Sequence, residues 1–256
     1  MFWQRAVISF TLGPLGLLLI YLGGWYYFIP VTIIILVGVL EYANLMKHLG
    51  WHVSNWILLP AVFLLLVNGQ WPEQNLLGPV LTFSLFASLL YALWRYERER
   101  SSLTTADWLA TIGGIMLLGW LGSHFFYLRH LDTNGEWALL IIMTSWVSDT
   151  FAYLIGRQYG KHKLVPRLSP KKSVEGYIAG VVLGTLGAVI MALFLPSISI
   201  PIAIAIGLPL TVISPAGDLG ISLLKRESGI KDSGHLFLGH GGALDRLDAL
   251  LWVVAL

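Results

Sequence analysis

Long apolar runs alternate with short polar interruptions along the whole chain. Runs that approach the roughly 20 residues of a membrane-spanning helix cover residues 6–22, 25–46, 53–67, 76–94, 108–128, 137–155, 177–195 and 198–219. A ninth begins near Ala243 and runs to Leu256. This pattern predicts an all-α, polytopic integral membrane protein with about nine transmembrane helices. No internal repeat, low-complexity tract or linker divides the runs, so residues 1–256 are expected to form one transmembrane domain.

Composition supports the membrane reading. With 56% hydrophobic and 12% charged residues, too much apolar surface exists for a water-soluble core to hide. Arg5 ahead of the first run resembles the start of a signal peptide. However, the run has no clear small-residue cleavage site and more spans follow, so it is expected to stay as a first helix. The absence of cysteine excludes a disulfide frame, thiolate chemistry and Cys-based zinc sites.

Charge placement says more than net charge. With the N-terminus in the cytoplasm, all 16 Lys and Arg residues except Arg129 fall on the cytoplasmic side. Both highly charged loops, 157–176 and 225–242, then face the cytoplasm, and the outer loops are short and nearly neutral. Aromatic residues near span ends, such as Trp25, Tyr26, Tyr27, Trp94 and Tyr96, read as interfacial anchors.

An ionisable group inside a span is costly unless it is paired, solvated or bound to a metal. Three aspartates are singled out on this ground: Asp149 in WVSDTFAYLIG, Asp218 in SPAGDLGISLLKR, and Asp245 in GGALDRLD. All are expected near the cytoplasmic ends of their helices and at similar depth, where they would converge. Carboxylates beneath basic loops suit divalent-metal chemistry on phosphates, because hard oxygens hold Mg²⁺ while Lys and Arg hold the remaining phosphate charge. The bland alternative is that each aspartate pairs with a nearby cation and fixes helix packing. Asp245 and Asp248, three apart, would share a helix face, with Arg246 pointing elsewhere to a lipid phosphate or a carboxylate.

The first basic loop, GRQYGKHKLVPRLSPKKSVEG, carries Ser169, Lys171, Lys172 and Ser173 around Pro170. A proline-fixed turn ahead of two lysines suits a polyphosphate, and Ser173 is expected to open a helix whose N–H groups face an anion. The second loop holds paired glycines, Gly241 and Gly242, after His240, so that backbone would approach a ligand closely. His240 is assigned a hydrogen-bonding or phosphate contact, and His235 none. Neither a Walker A nor a dinucleotide fingerprint occurs.

The stretch SLLKRESGIKDSGHLFLGHGGALDRLD, residues 222–248, resembles the signature of the phosphatidate cytidylyltransferase (CDP-diacylglycerol synthase) family, as do DTFAYLIGRQYGKHKL and SPKKSVEG. Two positions depart from that pattern. Leu238 stands where the family usually has Pro or Gly, and Ile221 where an acidic residue often precedes Ser222.

The resemblance implies transfer of a cytidylyl group from CTP to phosphatidic acid, dependent on Mg²⁺ with room for a second cation such as K⁺. It implies Asp218 and Asp245 as metal ligands, with Asp149 and Asp248 supporting them. Lys171, Lys172, Lys225, Arg226 and Lys231 would hold the phosphates, and Asp232, Ser222 and Arg246 belong to the same motif. The implied partners are CTP, phosphatidic acid, the bilayer and a second copy of the chain, with no nucleic acid. The implied location is the cell (inner) membrane, with the site at its cytoplasmic face. Two alternatives stay open: another CTP-using lipid enzyme, such as a polyprenol kinase or an ether-lipid cytidylyltransferase, and an ion-coupled transporter.

Overall fold

The computed structural model describes residues 13–99, 103–234 and 241–256. Its elements are α1 (Gly13–Leu22), α2 (Gly24–His48), α3 (Asn55–Gln70) and α4 (Leu77–Glu99). Next comes a continuous helix in three parts, α5 (Thr104–Gly114), a π-helical turn (Ile115–Trp120) and α6 (Leu121–Arg129). Then follow α7 (Glu136–Tyr159), a hairpin of β1 (Lys163–Val165) and β2 (Ser169–Ser173), α8 (Val174–Ala192), α9 (Ile200–Glu227), α10 (Leu244–Leu247) and α11 (Leu250–Val253). The protein is an all-α polytopic membrane protein. Among the described residues, α2, α4, α5 through α6, α7, α8 and α9 are long and apolar enough to cross a membrane.

The expected elements need three corrections. The ninth apolar run is not one helix but two short ones, and Leu244, Leu247 and Leu251 fill the protein interior, with Leu244 and Leu251 fully buried. Its apolarity serves the core, where Ile35 and Val39 of α2 and Leu118 of the π-helical turn join the same cluster. Helix α9 continues through Glu227, so Lys225 and Arg226 form its last turn rather than the start of a loop. The first basic loop folds into a hairpin with an irregular register, Lys163 opposite Ser173 and Val165 opposite Ser169. Within the expected aromatic girdle, Trp25 and Tyr26 are exposed but Tyr27 is buried against Phe126.

Helix α8 shows how the bundle closes. Its buried positions are Gly176, Gly180, Gly184, Ala188 and Ala192, one every four residues, while Ile178, Val182, Leu186 and Ile190 face outward. In lipid, helices associate through close packing of small residues, so the small stripe faces protein and the large one hydrocarbon. A Cβ at Gly184 would stand 2.7 Å from both the Ser148 and the Thr211 side chains, on α7 and α9. This fit draws α7, α8 and α9 into a tight triplet.

At the N-terminal end of α7 the buried Arg129 (8% exposed) donates to the carbonyls of Ile20, Tyr21, Asp132 and Thr133. The exception to the basic-residue pattern is thus a packing device inside the protein. Asp132 accepts from the backbone N–H groups of Asn134, Glu136 and Trp137, capping the start of α7. Partial burial pushes the Asp132 carboxyl up, but those N–H groups outweigh it and hold it below the usual carboxylate range. Buried Glu136 accepts from Ser197 N at 2.8 Å, tying in the α8–α9 connection.

Candidate active site

At the other end of the triplet lies a cavity of about 850 Å³, walled by α7, the hairpin, α8, α9 and α10. Asp149, Asp218, Asp245 and Asp248 all line it, together with Lys171, Lys172, Lys225 and Arg246. Asp149 and Asp218 sit about 15 Å and about 13 Å from the C-terminal ends of α7 and α9, counted at about 1.5 Å per residue. They are therefore set well inside their helices and line the same cavity.

The hairpin reaches down to them. Lys172 Nζ stands 2.5 Å from Asp218 Oδ2, and Ser222, one helical turn on, donates its hydroxyl to Asp218 Oδ1 at 3.3 Å. The charge of Asp149 is acted on by both Lys172 and Asp218. Asp248 faces Asp218, Lys225 and Arg246 electrostatically, and accepts from Ala249 N at 2.7 Å.

Ser173 is the N-cap of α8, its Oγ accepting from Gly176 N at 3.2 Å, so the helix start expected there is present. It is packed tightly in place, because a Cβ at Gly160 would come within 2.5 Å of that oxygen. Glu175 accepts from the N–H groups of Lys161 and His162 and meets His162 Nδ1 at 2.6 Å, which ties the base of the hairpin to α8. The hairpin is thereby braced on the helix start that lines the cavity.

Asp245 is fully engaged. Its Oδ1 holds Lys225 Nζ at 2.7 Å, and its Oδ2 accepts from Ser233 N at 2.9 Å and Gly242 N at 3.0 Å. Gly241 has φ +82°, and a Cβ there would lie 2.6 Å from Asp245 Oδ2. Gly242 is pressed in the same way against Glu41 of α2. Both glycines make room for the protein's own carboxylates.

A model of the cytidylyltransferase family matches residues 3–256, nearly the whole chain. The chain belongs to the cytidylyltransferase family. Similar proteins include the phosphatidate cytidylyltransferases of Staphylococcus saprophyticus (37% identical over 73% of this chain and 70% of that protein) and Synechocystis (30%, 98% and 94%). That of Staphylococcus aureus is 31% identical over 91% of this chain and 89% of its own length.

The residues singled out from sequence divide over this cavity. Asp149, Asp218, Asp232, Asp245, Asp248, Lys171, Lys172, Ser173, Lys225 and Arg246 line the cavity. Arg246 was expected to point elsewhere, but it shares the cavity with both flanking aspartates. Ser169, Ser222, Arg226, Lys231, Gly241 and Gly242 do not line it. Arg226 instead approaches Leu168 O at 3.5 Å, on the turn of the hairpin, and Lys231 is exposed. Ile221 is buried (1% exposed) in the core rather than beside the cavity, so its departure from the family pattern removes no charge there. His240, His235 and Leu238 lie outside the described residues.

Sequence reasoning did not single out the cavity residues Tyr153 and Arg157, although both lie in the family-like DTFAYLIGRQYGKHKL stretch, nor Tyr177, which follows SPKKSVEG. It also missed Glu41, although the rule that selected the aspartates applies to it, since it stands inside the second apolar run.

The donor set suits a hard divalent cation in kind, because carboxylate oxygens from two long helices and the α10 segment face one cavity. Lys172 already places a positive charge against Asp218. Among the described residues no three acidic or histidine side chains form a ready-made chelating cluster.

Proposed function

We propose that the protein transfers the cytidylyl group of CTP to phosphatidic acid, giving CDP-diacylglycerol and pyrophosphate. The observation that carries this reading is the joining of five aspartates and six basic side chains on one cavity among membrane helices. The similar proteins of Staphylococcus and Synechocystis, phosphatidate cytidylyltransferases, support it.

In this reaction a phosphate oxygen of phosphatidic acid forms a bond to the α-phosphorus of CTP. The bond from that phosphorus to the α–β bridging oxygen breaks, and pyrophosphate leaves with the electron pair. The nucleophile is already an anion, so the site has to align two anions and neutralise their charge rather than remove a proton. Lys171 and Lys172 on the hairpin, Arg157 on α7 and Arg246 on α10 surround the cavity and would hold the triphosphate and the lipid headgroup. Lys225 keeps Asp245 ionised and in place, and Ser222 orients Asp218. Asp149, Asp218, Asp245 and Asp248 would hold Mg²⁺, with room for a second cation such as K⁺, which when bound supplies further positive charge to the phosphates.

The cavity is assigned to the cytoplasmic face of the cell membrane, with the N-terminus on the same side. The Lys and Arg distribution supports that orientation, and CTP is a soluble cytoplasmic nucleotide. The lipid would enter sideways, since its acyl chains stay in the bilayer.

Purified detergent-solubilised protein supplied with Mg²⁺, CTP and phosphatidic acid is expected to release pyrophosphate and CDP-lipid in equal amounts. Product no higher than that of a folded Asp245→Asn variant, or formation of CDP with a phosphorylated polyprenol, would overturn the assignment.

A further inference from the structure

Glu41 lies on α2, far along the chain from the family motifs, and is absent from the cavity wall. Its carboxylate is buried (8% exposed). Oε2 accepts from Ser233 Oγ at 2.9 Å and Leu244 N at 2.8 Å, and Oε1 accepts from Ala243 N at 3.0 Å. Ala243 occupies the N-cap of α10, where its methyl group has no oxygen to offer, and no side chain caps that helix locally. Glu41 supplies the missing acceptor from another helix.

Asp245 grips the same two strands of chain from the cavity side, taking Ser233 N and Gly242 N. Ser233 and residues 242–244 are thus each held by both carboxylates, Glu41 from the core and Asp245 from the site. The cavity side chains Asp245, Arg246 and Asp248 follow directly on this clamped neck. Without Glu41, buried N–H groups at the start of α10 would lose their acceptor, and that start would have to shift to find another.

We infer that Glu41 is a positioning residue for the reaction, setting where Asp245, Arg246 and Asp248 stand without touching substrate. This rests on the proposed cytidylyl transfer. The carboxylate form is required because three donors converge on two oxygens. A glutamine of the same size would offer one acceptor and turn an N–H₂ toward N–H or O–H donors.

The test compares the full-length parent with Glu41→Gln and with Ser233→Ala, which removes one of the three donors and leaves Glu41 intact. Rates are expressed per folded molecule. Glu41→Gln is expected to lower kcat by roughly 10- to 100-fold, the range seen when a group supporting site carboxylates is removed. KM for CTP should stay within about threefold, because the hairpin and its lysines are untouched. Backbone amides of residues 241–249 should exchange with solvent deuterium faster than in the parent, while those of 163–173 keep their rate.

A kcat within twofold of the parent, a raised KM at unchanged kcat, or unchanged exchange in 241–249 would each overturn the inference. If Glu41→Gln yields no folded protein, Ser233→Ala is judged by the same criteria, with a kcat loss of about three- to tenfold expected. If the parent itself makes no CDP-lipid, the functional reading fails, and faster exchange in 241–249 alone still decides the positioning role.

Discussion

At the N-terminal end of α7, Arg129 donates to four backbone carbonyls and Asp132 accepts from three backbone N–H groups. Near its other end, on the wall of an open cavity, Asp218 is held by the side chains of Lys172 and Ser222, while Asp245 shares itself between the Lys225 side chain and two backbone N–H groups. Both ends hold charge among membrane helices, but with different partners. Main-chain partners cannot leave without unravelling a helix end, so charge spent on them builds structure. Side-chain partners can turn from one another toward an incoming phosphate, so charge paired this way is available for chemistry. The contrast teaches that an intramembrane charge is a candidate for function when a mobile group answers it across a cavity.

The strongest way to break this comparison is Asp218→Asn. It keeps the shape of the side chain and removes the charge facing Lys172, and CDP-lipid formation per folded molecule is expected to fall by about 10²–10³-fold. The Lys172 pair is partly open to solvent, so stability should change by no more than about 1 kcal/mol, read as a small shift in detergent Tm. Activity within tenfold of the parent would erase the distinction between the two ends.

Arg129→Met tests the far end. Four carbonyls lose their donor in a buried setting, and the expected loss of stability is about 3 kcal/mol, measured by thermal or denaturant unfolding in detergent. The kcat of molecules that remain folded should stay within about twofold. A large loss of kcat at unchanged stability would place Arg129 in the site's machinery after all.

The smallest effect is expected for Asp132→Ala, about 1 kcal/mol at neutral pH from a lost cap. Asp132 titrates below its ordinary range in the folded protein, so its contribution is full above about pH 4 and is lost as pH falls through the lowered folded value. The Tm gap between parent and variant should therefore narrow on acidification. A gap independent of pH would show that packing, rather than the ionised cap, is what the substitution removes.

The candidate site was legible in the sequence to the extent that its residues lie in compact, unusual strings. Asp149 and Asp218 stand out because an ionised group among apolar neighbours is costly wherever the helix goes. Ser173 stands out because a serine ahead of an apolar run is a helix start. Arg226 and Lys231 looked equivalent to Lys225 by composition, yet only Lys225 faces the cavity, because the final turn of α9 decides which of them points inward. The run from Ala243 was expected as one helix, and its break into α10 and α11 with Leu244, Leu247 and Leu251 in the core was not legible, because apolarity alone does not say whether lipid or protein covers it.

The membrane-embedded helical architecture, the charged loops gathered toward one set of helix ends and the aspartates that line the cavity were determined by the sequence itself. Each follows from a local quantity, the cost of moving a residue out of water. Only the tertiary structure decided what answers each buried charge. Glu41 meets Ala243 across 202 positions of chain, and Lys172 meets Asp218 because a glycine and alanine stripe draws α8 against α7 and α9. The partner of a buried charge is set by which distant backbones pack closely enough to bring a donor within 3 Å, and no window of sequence contains that distance.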